Sequence, residues 1–502
     1  MSKRIDLKSF LFYSFLAVYA VTLLILGYKL NIWEDEAYSL HTTSNTLSLS
    51  KVISQSYNFE GQPPFYFIML SIWRHINSGI FFARLLSLLF IGLSAVFFYK
   101  LVHLISGREF SRWMLVIFLL NPFFIWAGFE IRLYGFVVFL SVISSYYFLL
   151  YSIQNKPKHL YLFLLFSLIG LYTQYFFVFE ITALGLTLLI FKGWKQFFMF
   201  CIYMIPVVIL FLPNLFFLTS EVKMGKSHVD VKNEIATVLH APQALVLGLE
   251  MLPINVWVHR LSRFIVVIFL VLAYYKLYRK KGMNSRSFLK NVNLIGLVTI
   301  IIFLLYLITV ATMKLSFEPR YLIMLLPMFI FLFSIFKVYD SFLRKVIFIS
   351  IALFYIAISF LVYKKPIKNY DYEQAAKIIN TIERPAEPVL VYSKILLPAF
   401  SFYHKDTDSI YSLPAYNYDE KYYDENIRDT SQLKQAIDKI KSATGSYILL
   451  NGPIKGFRDP IDMNRKMFDD FLNSNFNITF DTTISGRWEA DSLRIRRLEI
   501  KK

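Results

Sequence analysis

The 502-residue chain has a single cysteine, Cys201. That excludes an intrachain disulfide and a cysteine metal cluster. Cys201 lies in an apolar run and reads as a small hydrophobe. Charge is also scarce. Asp, Glu, Lys and Arg make up 17% of residues, against about a quarter in a soluble domain. Ionisable residues are nearly absent from the middles of the apolar runs, and no inverted repeat is visible. Both absences weigh against a transporter.

What the chain has is apolar length. It is 56% hydrophobic and 18% aromatic. The formal charge of +19 sits largely in short basic runs between apolar segments. There it would meet lipid headgroups, which argues against nucleic acid as a partner. Residues 10–26 are too long for a signal-peptide core and lack a small-residue cleavage site, so they read as a retained first helix.

Runs of membrane-crossing length fall near 10–29, 80–104, 112–128, 133–153, 159–172, 174–191, 196–218, 262–278, 291–313, 320–337 and 343–363, about eleven in all. Residues 63–76 are apolar but short, and read as an interfacial or re-entrant helix. With Lys3, Arg4 and Lys8 in the cytoplasm, alternate loops carry Arg108 and Arg112, Lys156 and Lys158, and Lys192 and Lys195. The next two carry Lys276 to Lys290, including Lys281, and then Lys337, Arg344 and Lys345. Acids there are few: Asp6, Glu109 and Asp340. Joining 159–191 into one span would put the densest basic cluster outside, against the positive-inside tendency.

The expected organisation is a transmembrane domain over 1–365, with outer loop 31–79 carrying interfacial helices, and an extracytoplasmic α/β domain over 366–502. That tail shows strand patterns at 388–392 and 446–450 and helical patterns near 371–383, 431–442 and 463–474. It shows no metal signature, glycine-rich phosphate loop or nucleophile elbow. It reads as a lid or docking domain.

Five polar patches fall on the outer side of this topology: 33–39 with Glu34, Asp35 and Glu36; 59–66 with Glu60; 129–134 with Glu130 and Arg132; 171–175 with Gln174; and 317–322 with Arg320. Each has a plain structural reading taken alone. The acids suit a helix N-terminus, Glu130 and Arg132 a turn-closing ion pair, Arg320 a headgroup contact, and Gln174 a hydrogen bond at a helix break. Their gathering on one side is the informative feature. Cytoplasmic loops are plain basic runs, whereas these mix acids, single arginines and tyrosines.

In order, the patches read Asp-Glu after the first span, an acid before Pro-Pro-Phe-Tyr, Glu-x-Arg-x-Tyr, Leu-Tyr-Thr-x-Tyr-Phe and Pro-Arg-Tyr-Leu. This order resembles the bacterial relatives of the dolichyl-phosphate-mannose protein mannosyltransferases, a group that includes the lipid A aminoarabinose transferases. The resemblance covers about 1–365 and extends faintly to 371–379. It implies a polytopic α-helical membrane protein of GT-C type in the bacterial cytoplasmic membrane. The implied activity is that of a glycosyltransferase (hexosyl- or pentosyltransferase) using a polyprenyl-phosphate sugar donor and a lipid, glycan or protein acceptor in the cell envelope. It implies Asp35 as general base, with Glu36 orienting Asp35 or the acceptor. Arg132 and Arg320 would take the donor phosphate, Glu130 would hold Arg132, and Tyr134, Tyr175 and Tyr321 would line the pocket. Glu60 and Gln174 fall in the matched binding motifs. The family also suggests one divalent cation, with Glu60 as a ligand. Many relatives, however, have His where this chain has Gln62 and Gln174, and an amide is a poorer metal ligand. A transporter or flippase, and a non-catalytic scaffold or sensor, are the competing readings.

Overall fold

The computed structural model describes residues 7–224, 231–253, 256–280, 283–313, 317–392, 394–415, 427, 429–440, 442–452, 465–488 and 491–501. Lys3, Arg4, Asp6 and Lys281 lie outside these residues, as does the start of the 463–474 pattern.

The membrane part opens with α1 (Leu7–Lys29), α2 (Glu34–Thr42), α3 (Leu49–Asn58) and α4 (Phe65–Ile76). It continues with α5 (Ile80–Ser106), α6 (Arg108–Leu120), α7 (Pro122–Phe129), α8 (Tyr134–Gln154), α9 (Pro157–Leu171) and α10 (Phe177–Lys192). Then come α11 (Trp194–Met224), α12 (Val231–Leu247), α13 (Val256–Arg279) and α14 (Met283–Met313). Residues 319–338 form α15 (Leu326–Leu332) between two 3-10 turns, and α16 (Ser341–Tyr363) closes the series.

Each expected apolar run falls on a helix, but the helices are not equal. Among the described residues, 8 are long and apolar enough to cross a membrane, and α6 with α7 makes a ninth if that pair is one span. The remaining two of the eleven are shorter: α9 has 15 residues and α10 has 16. Helix α12, which the apolar-run search passed over, has 17 residues and carries Glu234 and Pro242.

The breaks have local causes. Helices α6 and α7 meet at 60°. Pro122 has no N–H to continue the α6 ladder. Asn121 caps the new start, its Oδ1 accepting from the N–H groups of Phe123 and Phe124 at 3.0 Å each. Its Nδ2 donates to the carbonyls of Leu245 and Val246 at 3.0 and 3.2 Å, tying the break to the end of α12. Between α9 and α10 the chain turns within 172–176. The Gln174 N–H donates to the Gly170 carbonyl at 2.9 Å, and that of Phe177 to the Gln174 carbonyl at 3.0 Å. A Cβ on Gly170 would lie 2.3 Å from the Phe177 ring, so only glycine lets the turn close this tightly.

The chain divides into two compact units. One is 1–24 with 61–362; the other is 25–60 with 363–502. The second thus takes in a stretch that the sequence had placed with the membrane part. After α16 it holds α17 (Tyr372–Ile382), β1 (Val389–Tyr392), α18 (Leu397–Phe400), β2 (Ile410–Leu413), α19 (Thr430–Asp438), β3 (Ser446–Asn451), α20 (Arg465–Asn475), β4 (Phe476–Ser485) and β5 (Ser492–Ile500). The strands form one sheet in the order β2-β1-β3-β5-β4. Strand β1 runs parallel to β2 and β3, while β5 runs antiparallel to β3 and β4. Leu390, Leu433, Leu449, Phe468, Leu472 and Leu498 pack its core.

Strands β1 and β3 and the three helices match the sequence patterns. Strands β4 and β5 do not announce themselves, because β5 carries Arg494, Arg496 and Arg497. Arg496 is buried nonetheless. Its guanidinium donates to Asp469 Oδ1 at 2.7 Å and Asn451 Oδ1 at 2.9 Å, which meets the cost of burying the charge.

After β4 the chain presses against the segment entering α17. A Cβ on Gly486 would lie 2.2 Å from the carbonyl oxygens of both Asn369 and Asp491. Gly486→Ala is expected to destabilise this unit by about 1–3 kcal/mol. Thermal unfolding of the full-length protein checks this, and an unchanged midpoint would contradict the close approach.

Candidate active site

In the membrane unit, the helix breaks carry the polar residues. The 129–134 turn lies between α7 and α8. Helix α5 holds it: Arg84 Nε donates to the Phe129 carbonyl at 3.1 Å, and Ser87 Oγ to that of Glu130 at 2.6 Å. Glu130, Arg132 and Tyr134 are all buried. Arg84, fully buried, was not singled out in the sequence. Its signal was present as a lone arginine one turn into an apolar helix.

The Arg320 guanidinium lies 5.9 Å from the ring centroid of Tyr134 and 5.9 Å from that of Tyr321. Glu318 lies 2.8 Å from Arg320 Nε. The patches at 129–134 and 317–322 are therefore together. Tyr306 on α14 donates its hydroxyl to the Tyr321 carbonyl at 2.6 Å. Phe176 packs on Tyr321 at 6.2 Å and on Tyr306 at 4.8 Å, which brings in the 171–175 turn. The Phe65 N–H donates to the Tyr172 carbonyl at 3.0 Å, which adds the Pro-Pro-Phe-Tyr stretch. Tyr175 packs on Phe211 at 6.4 Å. Glu234 on α12, also not anticipated, accepts from the Phe317 N–H at 2.7 Å.

Gln62 and Gln174 share a feature. Each has a buried side-chain oxygen with no hydrogen-bond partner among the described residues. A buried acceptor left alone costs about 1–3 kcal/mol, so these two oxygens are set to receive a donor.

The acidic run belongs to the other unit and separates into three environments. Helix α2 begins at Glu34, where three acids in the first turn suit the helix dipole. Glu34 accepts from the Tyr372 hydroxyl, and from Asn369 Nδ2 at 3.3 Å. Glu36 is fully buried and forms an ion pair with Lys368 Nζ at 2.7 Å. Asp35 is half-buried between them. Asn31 secures the same clasp: its Nδ2 donates to the Tyr370 carbonyl at 2.6 Å, and its Oδ1 accepts from the Lys368 N–H at 2.7 Å. The Ile32 N–H donates to the Tyr403 hydroxyl at 2.9 Å. Glu60 is buried and accepts from Ser39 Oγ at 3.1 Å.

The buried pairing of Glu36 with Lys368 suits a residue that fixes α2. Among the described residues no three of His, Cys, Asp and Glu gather as a metal site.

The fold has solved counterparts. The chain matches ArnT from Cupriavidus metallidurans bound to undecaprenyl phosphate with a TM-score of 0.56 at 10% identity, covering 97% of each chain. It matches the apo state of the same protein with a TM-score of 0.55 at 11% identity, covering 97% of this chain and 98% of that one. This chain has the GT-C fold of ArnT. No family model and no curated protein matches its sequence.

Two predictions follow from the acidic clasp. Lys368→Met strands a buried carboxylate and is expected to cost about 3–5 kcal/mol. Adding Glu36→Gln should restore much of that, and thermal unfolding of the single and double variants measures the difference. Burial raises the Glu34 carboxyl above its ordinary value of 4.5, against the lowering effect of its Tyr372 and Asn369 hydrogen bonds. A carboxyl raised in the fold contributes fully below its unfolded value, and that contribution is lost as pH rises through the folded one. Glu34→Gln is expected to flatten this decline in unfolding scans run upward from about pH 4. An unchanged slope would exclude Glu34 as its source.

Proposed function

We propose that this protein is a membrane glycosyltransferase that moves a sugar from a polyprenyl-phosphate donor to an acceptor hydroxyl. The observation that carries the reading is the end-to-end GT-C fold shared with ArnT, one of whose structures holds undecaprenyl phosphate. The arginine and tyrosine cluster at the helix breaks supports it, because planar guanidinium groups suit a phosphate.

In this reading Asp35 takes the proton as the acceptor oxygen attacks the anomeric carbon. The bond from that carbon to the phosphate oxygen breaks, and the lipid leaves as a phosphate monoester. That leaving group is a stable anion and needs no general acid. Arg132 and Arg320 receive its charge, with Glu130 holding Arg132. A single displacement inverts the anomeric centre. Tyr134, Tyr175 and Tyr321 line the donor's polar end. The free oxygens of Gln62 and Gln174 accept from sugar hydroxyls. Glu36 is a positioning residue: with Lys368 it fixes the helix that carries Asp35. Glu60 supports the same loop through Ser39.

The basic runs orient the chain with its N-terminus in the cytoplasm and the polar patches outside the bacterial cytoplasmic membrane. The unit after Tyr363 then lies outside as well.

Asp35→Asn, assayed in membranes given a radiolabelled polyprenyl-phosphate sugar, is expected to lower transfer by about 10²–10⁴-fold. Unchanged transfer would remove Asp35 as the base. A reporter active only in the cytoplasm, fused after Lys502, should be silent. Activity there would overturn the orientation.

A further inference from the structure

The membrane unit contains a second feature that the transferase reading does not use. A groove of about 730 Å³ runs between α1, α5 and α6. Its walls are apolar, with small residues Ala20, Gly92 and Ala95 on two of the helices. Three basic residues, Lys100, Arg108 and Arg112, line it, and none of its described lining residues is acidic. The exposed Glu109 lies in the first turn of α6 but outside the lining.

Helix α1 is tied to α6 just before the groove begins and again midway along it. Arg112 Nη2 donates to Ser9 Oγ at 3.1 Å, and the Tyr19 hydroxyl donates to the Leu119 carbonyl at 2.7 Å. The space between is open: a Cβ built on Gly92 would meet nothing within 4 Å. The groove's wall on α1, from Phe12 to Leu24, spans about 18 Å. That is close to one leaflet's share of a hydrocarbon core of about 30 Å. The basic end is not the polar cluster described above. Lys100 lies about 24 Å along α5 from Arg84, which holds the 129–134 turn.

We infer that this groove binds an anionic phospholipid, with an acyl chain between α1 and α5 and the headgroup phosphate against Lys100, Arg108 and Arg112. Length selects a chain of one leaflet. The three cations select the charge, since each Lys or Arg near an anionic surface adds about 1 kcal/mol. Arg112 already packs over the Phe12 ring at 5.3 Å, which holds its guanidinium at the mouth.

The test uses the delipidated full-length protein, reconstituted in nanodiscs of equal phosphatidylglycerol and phosphatidylcholine. Lipids that remain bound after detergent extraction are identified by native mass spectrometry. Phosphatidylglycerol is expected to be retained over phosphatidylcholine by at least about tenfold. Lys100→Gln with Arg108→Gln and Arg112→Gln should abolish the preference. Gly92→Phe fills open space and should lose the lipid while keeping its gel-filtration profile. It therefore remains informative if the triple variant fails to fold. Equal retention of both lipids, retention untouched by Gly92→Phe, or a polyprenyl phosphate as the retained species would each overturn the proposal.

Discussion

A helix that breaks inside a membrane must satisfy its own freed backbone groups, because no water is there to do it. The architecture of the membrane unit follows from how this chain meets that demand. Asn121 caps α7 with its side-chain oxygen and reaches α12 with its nitrogen. Arg84 and Ser87 take the carbonyls of the 129–130 turn. Glu234 receives the Phe317 N–H. Each break is thereby locked to a neighbouring helix, and those at 129–134 and 317–322 carry the site residues Arg132 and Arg320. The irregular backbone and the reactive-looking side chains share the same few positions.

Much of this was legible in the sequence, for a simple reason. Apolar run length reports membrane depth directly, so every expected run fell on a helix. The split at 171–174 could be read from the loss of apolar residues and from the basic loops that would otherwise change sides. What the sequence could not show was which runs reach across. Helices α9 and α10 are short because Gly170 and Phe177 let the chain reverse early. Helix α12 hid because Glu234 and Pro242 spoil its apolar run, although its partners bury the carboxylate.

The acidic run shows the same limit at the scale of single residues. Three adjacent acids look alike in a sequence. Their fates are set by residues more than three hundred positions away: Tyr372 for Glu34 and Lys368 for Glu36. Motif order picked out Asp35, and the packing shows how its neighbours differ from it. In β5 the strand pattern is masked by Arg494, Arg496 and Arg497, and Asp469 and Asn451 make the buried Arg496 guanidinium tolerable.

The division of the second unit bears on the order in which the protein can be built. Residues 25–60 leave the ribosome early, but Lys368 and Tyr372 are made only after α16. The Glu34–Tyr372 contact spans 338 positions. Through most of synthesis, then, helix α2 has no partner for its inward-facing acids. A nascent chain stopped before α17 would carry the first loop without the Tyr372 hydroxyl that Glu34 accepts from. The contacts that hold Glu34 and Glu36 can therefore close only after α16 has been made, so the two parts of this unit are joined late in synthesis.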